Sequence, residues 1–147
     1  MPSRRYPQYP LLGVGALIFN GDAILLVERA GEPLKGYWSL PGGLLETGEM
    51  IEDAVRREVR EETGLEVEPV YRFDIFERIM RDDRGRAEYH YVLVDYVCKV
   101  TGGEARPADD VSRVKWVPRA KLRDYKITAG TLEAVERAYV DVRRRDT

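Results

Sequence analysis

The sequence predicts an α/β fold of the mixed α+β kind, a single domain in which helices pack on a mixed β-sheet. Three observations predict it. Strand-like runs are interspersed with two helical segments instead of being segregated from them. Two pairs of those runs flank tight turns, so they are hairpins and do not belong to a purely parallel wind. Finally, the chain has 147 residues, 44% apolar and 34% charged. A chain of that length buries about 68–70% of its unfolded surface, enough for a core without covalent staples.

Each element follows from local patterning. Residues 11–19 are apolar and partly β-branched, Asn20-Gly21-Asp22 follows, and residues 23–28 are apolar again, which reads as a hairpin. Gly31, Pro33 and Gly36 make residues 30–38 a loop, and residues 39–43 (SLPGG) form a short extended piece that breaks into a turn. Residues 50–63 lack Gly and Pro, are rich in Glu, Arg, Ala and Val, and stop at Gly64, the signature of a helix and its C-terminal cap. Residues 65–80 and 87–100 read as long strands around Asp82-Asp83-Arg84-Gly85, and residues 101–110 as a loop. Alternation predicts a strand over 111–117 with one polar face, then a short helical turn over 118–125. Residues 129–144 form a second amphipathic helix, with Leu132, Val135, Ala138 and Tyr139 on one face and Thr128 as its N-cap. There is no repeat or linker, so residues 1–147 are expected to form one domain, with residues 1–10 and 145–147 as loose termini.

Composition narrows the function classes. With 24 basic and 26 acidic residues the formal charge is −2, which gives no footprint for a nucleic-acid polymer. The single cysteine, Cys98, excludes an intramolecular disulfide and a Cys-rich zinc site and fits a reducing compartment. No apolar run reaches the roughly 18 residues of a membrane span, and the N-terminus MPSRRYPQYP is not followed by a signal-peptide core. A cytoplasmic protein is expected.

The helix over 50–63 breaks the burial rule. With Ile51 at zero and about 100° per residue, Ala54, Val55 and Val59 fall on one stripe, and Glu58 and Glu62 fall inside it, near about 340° and 20°. Glu61 lies on its border, near about 280°. A solvated, Arg/Glu-rich helix face explains Glu52 and Asp53, but it does not explain acids that share a face with Ile51 and Val55. Two carboxylates 4 Å apart repel by about 1 kcal/mol in water and about 4 kcal/mol at an effective dielectric of 20. The cluster therefore needs a compensating cation, supplied by basic side chains or by a divalent metal. All-oxygen ligation selects a hard ion, Mg²⁺ or Mn²⁺, which keeps waters or substrate phosphates as its other ligands. The preceding Pro41-Gly42-Gly43 turn would let backbone approach such an ion.

Residues 43–65 read GLLETGEMIEDAVRREVREETGL. The string resembles the Nudix box, G-x5-E-x7-R-E-U-x-E-E-x-G-U with U bulky and apolar, and Gly43, Glu49, Arg57, Glu58, Val59, Glu61, Glu62, Gly64 and Leu65 match every specified position. The order of the other elements resembles that family more loosely over nearly the whole chain. The resemblance implies an α/β/α sandwich around a mixed β-sheet. It also implies divalent-metal-dependent hydrolysis of a nucleoside diphosphate linked to X, giving a nucleoside monophosphate and P–X, with ADP-ribose-like or NTP-like substrates. On that basis Glu58 and Glu62 are expected as metal ligands, Glu61 as a ligand or activator of water, and the backbone carbonyl of Gly42 as a further ligand to Mg²⁺, for which Mn²⁺ may substitute. Glu49 and Arg57 are expected as the supporting ion pair, against the plainer reading of Arg57 as a solvent-facing partner of Glu61. Two alternatives stand beside this one: a catalytically silent nucleotide-sensing module, and an enzyme of the same scaffold acting on a non-nucleotide diphosphate.

Other residues carry smaller expectations. Arg29 is a phosphate contact or a solvated strand end. Asp109 and Asp110 are extra carboxylates for the site or an ordinary Asp-rich turn, with Glu88 a further carboxylate candidate. Tyr37 and Trp38 stack on a base or belong to the core, His90 is structural, and Cys98 is a small buried residue. Tyr71, Phe73 and Phe76 cover the sheet or serve a homodimer interface. Asp95 is anomalous inside a strand.

Overall fold

The computed structural model describes residues 4–145; the outermost expected loose residues, 1–3 and 146–147, lie outside the described part. The strands are β1 (Leu11–Asn20), β2 (Ala23–Arg29), β3 (Trp38–Ser39), β4 (Gly42–Leu44), β5 (Leu65–Arg81), β6 (Ala87–Gly103) and β7 (Val111–Pro118). The helices are α1 (Ile51–Thr63) and α2 (Thr131–Arg145), with a 3-10 turn over Arg119–Asp124.

The sheet is mixed. Its main path runs β3-β2-β1-β6-β5, with β4 paired to β1 and β7 to β2. β1 lies parallel to β6 from Leu11↔Tyr91 to Ile18↔Cys98, while the other pairings are antiparallel. Because successive side chains alternate between faces, the sheet carries a core on each. Val14, Ala16, Ile18, Leu25 and Cys98 pack with Ala54, Val55 and Val59 of α1. Leu17, Ile24, Leu26, Val97 and Val117 pack with Val135, Ala138 and Tyr139 of α2. The architecture is a mixed sheet flanked by helices, as the patterning predicts.

Several local features differ from expectation. Trp38, expected in the loop, pairs with Glu28 of β2, beside Ser39 of the expected extended piece, which pairs with Val27. Trp38 is buried, edge-on to Tyr125 at 5.2 Å, so it is a core residue and not a free stacking platform. α2 starts at Thr131, after Gly130 at φ +85°. Thr128 consequently sits outside the helix, where its hydroxyl shares a 2.6 Å hydrogen bond with that of Thr131. Within the terminus expected to be loose, Tyr6 is held at both ends. Its N–H donates to the Glu88 carbonyl at 2.7 Å, and its hydroxyl donates to Asp82 at 2.8 Å. Arg145 is likewise tied, to Asp141 at 3.0 Å and over the Tyr71 ring.

Candidate active site

α1 delivers its acids as its sequence dictates. Its apolar stripe is anchored by Ala54, Val55 and Val59, all essentially inaccessible. Gly64, at φ +77°, caps the last turn by donating its N–H to the Arg60 carbonyl. Glu62, one turn beyond Glu58, is carried inward to 7% exposure. Glu58 is mostly buried, and Glu61, on the border of the stripe, turns outward. The strand pair β1–β4 closes over this face. Gly42 donates its N–H to Glu62 Oε1 at 2.9 Å. Gly43 is the point of closest approach: a Cβ there would overlap the Glu58 carboxylate.

Arg57 is the local counter-charge. Its Nε donates to Glu49 Oε2 at 2.7 Å and its Nη2 to Glu49 Oε1 at 2.9 Å, the bidentate geometry of strong guanidinium–carboxylate pairs. Nη2 also donates to the Leu44 carbonyl at 3.0 Å. Nη1 reaches Glu58 at 2.9 Å and Glu61 at 3.3 Å. The Glu49 carboxyl is held below its usual range by Arg57, and the Arg57 guanidinium is raised in turn, chiefly by Glu49. Arg57 is therefore no mere solvent-facing partner of Glu61.

What Arg57 leaves uncovered is Glu62. Burial pushes its carboxyl up to about 8, with Glu58 and Asp110 adding repulsion against the Gly42 N–H and the charge of Arg29. Burial also raises Glu58, opposed by Arg57 and reinforced by Glu61 and Asp109. The last two influences come from the loop before β7 and from α1 itself, and that loop is stitched across the C-terminal turn of α1. Arg106 N–H donates to the Thr63 carbonyl at 2.8 Å, Ala108 N–H to the Glu62 carbonyl at 3.1 Å, and Ala30 N–H to the Asp110 carbonyl at 2.9 Å. Asp109, at φ +58°, sits at the crown of that turn. The structure thus brings Asp109 and Asp110 to the acids of α1. Arg29, at the end of β2, is anchored through Nε to the Pro33 carbonyl at 2.8 Å. Glu88 is engaged elsewhere, with Arg5 at 2.7 Å.

The donor set is all oxygen and carries more negative charge than Arg57 and Arg29 offset, which fits a hard divalent cation. Among the described residues no three such side chains are already gathered into a metal cage: Glu58 faces Arg57 and Glu62 faces Gly42. A cation would have to draw them together. Nothing in the sequence singles out Arg78, partly buried on β5, whose Nη2 donates to the Ala129 carbonyl at 2.9 Å. Only the folded ladder shows what it stands beside.

Comparison with known proteins agrees with this geometry. A family model described as NUDIX domain matches residues 10–138. An ADP-ribose pyrophosphatase of Methanocaldococcus jannaschii is 35% identical over 74% of this chain and 62% of its own length. The nucleoside triphosphatase NudI of Escherichia coli O139:H28 is 32% identical over 78% of this chain and 86% of its own. Among solved structures, a MutT NUDIX hydrolase from Burkholderia pseudomallei superposes with a TM-score of 0.77 at 30% identity, covering 88% of this chain and 98% of that one. The chain spans less than two thirds of the length of the first relatives it matches: 62% of the archaeal protein, and 27% and 30% of a Caenorhabditis elegans and a mouse protein.

Proposed function

The chain belongs to the NUDIX family, and we propose that it is a divalent-metal-dependent hydrolase of the pyrophosphate link in a nucleoside diphosphate joined to X, releasing a nucleoside monophosphate and P–X. The observation that carries this reading is Glu62: a carboxylate 7% exposed, held by one backbone N–H, with Glu58 and Asp110 repelling it. A fold keeps such a charge where a cation stabilises it. Relatives named for ADP-ribose and for nucleoside triphosphates support a nucleotide substrate of either kind.

Glu58, Glu62 and the Gly42 carbonyl would hold Mg²⁺ (or Mn²⁺), with Glu61, Asp109 and Asp110 as further oxygens near it. Such an ion, when bound, would supply charge neutralisation for the phosphoryl oxygens and a more acidic water. The chain's own work is positioning. Glu49 fixes Arg57, and Arg57 fixes the Glu58 carboxylate and the end of β4 through Leu44. Glu61, the exposed acid beside Arg57, serves as ligand or takes a proton from the attacking water. Arg29 holds a phosphate oxygen while its Nε stays on Pro33. One domain over residues 1–147 is supported by the two cores, which share β1, β2 and β6. Cys98, buried as a free thiol, supports a cytoplasmic setting. Among the described residues no helix is long and apolar enough to cross a membrane.

The test is phosphate release, with a coupling phosphatase, from a panel of ADP-ribose, nucleoside triphosphates, dinucleoside polyphosphates and sugar nucleotides in Mg²⁺ or Mn²⁺. Turnover that disappears in chelator and in Glu62→Gln supports the reading. Full activity in Glu62→Gln, or no turnover on the whole panel, overturns it.

A further inference from the structure

Among the described residues the buried acids are Glu62 and Asp95, and the proposed hydrolysis uses only the first. Asp95 sits in mid-β6, 7% exposed. Among the described residues no donor reaches its carboxylate and no cation lies within 4 Å of it. None of the described side chains has an oxygen that is both sealed from solvent and unpartnered, so the Asp95 oxygens keep an opening to space. A carboxylate stripped of water and left without a partner is costly, and burial, with Asp74 adding repulsion, pushes Asp95 up to about 6 against the pull of Arg78 and Arg137.

The surroundings of Asp95 form a trough on the sheet face opposite α1. Gly15 is its neighbour on β1; a Cβ there would lie 2.5 Å from Asp95 Oδ1 and 3.6 Å from Leu40, so the missing side chain is what makes room. Along the same face the β5–β6 ladder places Asp74 opposite Asp95, Phe76 opposite Leu93, Arg78 opposite Tyr91 and Met80 opposite Tyr89. Asp74 is spoken for by Arg137 at 2.7 Å. The Arg78 guanidinium lies over the Phe76 ring, 5.5 Å from its centroid, and its charge acts on Asp95. Leu40, Leu93, Phe76 and Arg78 are all only partly covered. Farther along the β5–β6 ladder a separate cavity of about 380 Å³ is lined by Met80, Glu88, Tyr89 and, from the loop before β3, Pro33, Leu34 and Tyr37 among others. On its other edge β1 pairs Gly15 with Gly42, the residue that bonds Glu62. The Asp95 and Gly42 backbones are therefore two strand spacings, about 10 Å, apart, and a nucleotide with its base in the trough would pass the β4 edge of the sheet to bring its phosphates to the acids of α1.

We propose that this trough holds the nucleobase of the substrate and that Asp95, with Arg78, selects guanine. The inference rests on the nucleotide-hydrolase reading and narrows it. The apolar floor of Leu93, Leu40 and Phe76 suits a flat ring. A carboxylate accepts, and is best served by two adjacent N–H donors; guanine offers N1–H beside its 2-amino group, with O6 next to them as an acceptor for a guanidinium. Adenine, cytosine and uracil each place an acceptor next to their donor, which would face the Asp95 oxygens.

Two readouts test this. In the first, kcat/KM is compared for GTP, ATP, CTP and UTP, and for xanthosine triphosphate, whose O2 replaces the 2-amino group. In the second, binding of the monophosphates GMP, AMP and XMP is measured by calorimetry, which requires no turnover. Guanine should be preferred roughly 10- to 100-fold over adenine in both. In Asp95→Asn, whose amide donates where the carboxylate accepted, preference should move from guanine toward xanthine; Arg78→Gln should weaken guanine nucleotides more than the others. Equal handling of the bases by the unmodified protein overturns the proposal, as does an unchanged guanine-to-xanthine ratio in a folded Asp95→Asn. If none of these triphosphates and none of the wider panel above is turned over, the hydrolase reading fails, and the GMP-to-AMP binding ratio still decides the Asp95 subsite. If Asp95→Asn does not fold, the unmodified protein's base preference and Arg78→Gln decide it.

Discussion

Arg57 grips Glu49 with both arms of its guanidinium, at 2.7 and 2.9 Å, and with the nitrogen left over reaches Glu58 at 2.9 Å. One side chain thereby ties the loop before α1 to an acid on α1's inner face. Its value is geometric, because a lysine in its place has no fork. Arg57→Lys should keep the fold and lower kcat about 10- to 100-fold, as loss of an orienting partner usually does. Kinetics at saturating Mg²⁺, with circular dichroism to verify folding, measure this; unchanged kcat would remove Arg57 from the positioning machinery.

The Glu62 carboxyl sits at about 8 in the fold, against an ordinary 4.5. Between those values the native state holds a proton that the unfolded chain has already released. Metal-free stability should therefore fall as pH rises from 5 to 8, by at most about 1.4 kcal/mol per pH unit, a few kcal/mol in all. Glu62→Gln should flatten that fall and raise the melting temperature in chelator while abolishing metal-dependent turnover. Thermal melts across pH 5–9, with and without Mg²⁺, check it; a wild-type melting temperature that rises through this window would contradict burial as the dominant influence on Glu62.

Gly43→Ala is a steric probe of the same spot. The added methyl would overlap the Glu58 carboxylate, and displacing an aligned group by about 1 Å commonly costs about 100-fold in rate. We expect that loss together with a higher half-saturating Mg²⁺ concentration. Titrating the metal in the variant and the parent decides the matter; matching metal curves would mean that Glu58 has room to move aside.

Cys98 is buried, and burial drives its thiol up to about 12. The thiolate is the reactive form, so a disulfide reagent such as DTNB at pH 8 should modify the folded protein only at the rate of unfolding and react at once in denaturant. Fast labelling of the native state would place Cys98 nearer the surface than its position in the α1 core requires.

Much of the molecule is legible from one strand or helix at a time. The 3.6-residue period alone puts Glu58 and Glu62 among apolar residues and Glu61 at the margin, and burial follows that order. Gly64 and the Asn20-Gly21 turn announce their elements because their backbone geometry is chemically specific. What pattern does not reach are contacts between segments distant in sequence. Asp109 and Asp110 read equally well as a plain turn until the hydrogen bonds of Arg106 and Ala108 to the end of α1 carry them there. Asp95 is visible as an anomaly but not as a site, because its meaning depends on Gly15, eighty positions away, and on Arg78 across the ladder. The start of α2 slips by two residues because Thr128 bonds a side chain rather than a helix N-terminus.

The parallel ladder between β1 and β6 also governs how the chain is made. Every rung from Leu11↔Tyr91 to Ile18↔Cys98 joins residues eighty apart, so β1 leaves the ribosome long before its partner exists. Contacts of such long range close slowly, and until Cys98 has emerged the apolar β1 has only its hairpin and β4 to shield it. Synthesis therefore passes through a stage in which an aggregation-prone edge waits for a chaperone or for residues 91–98 of its own chain.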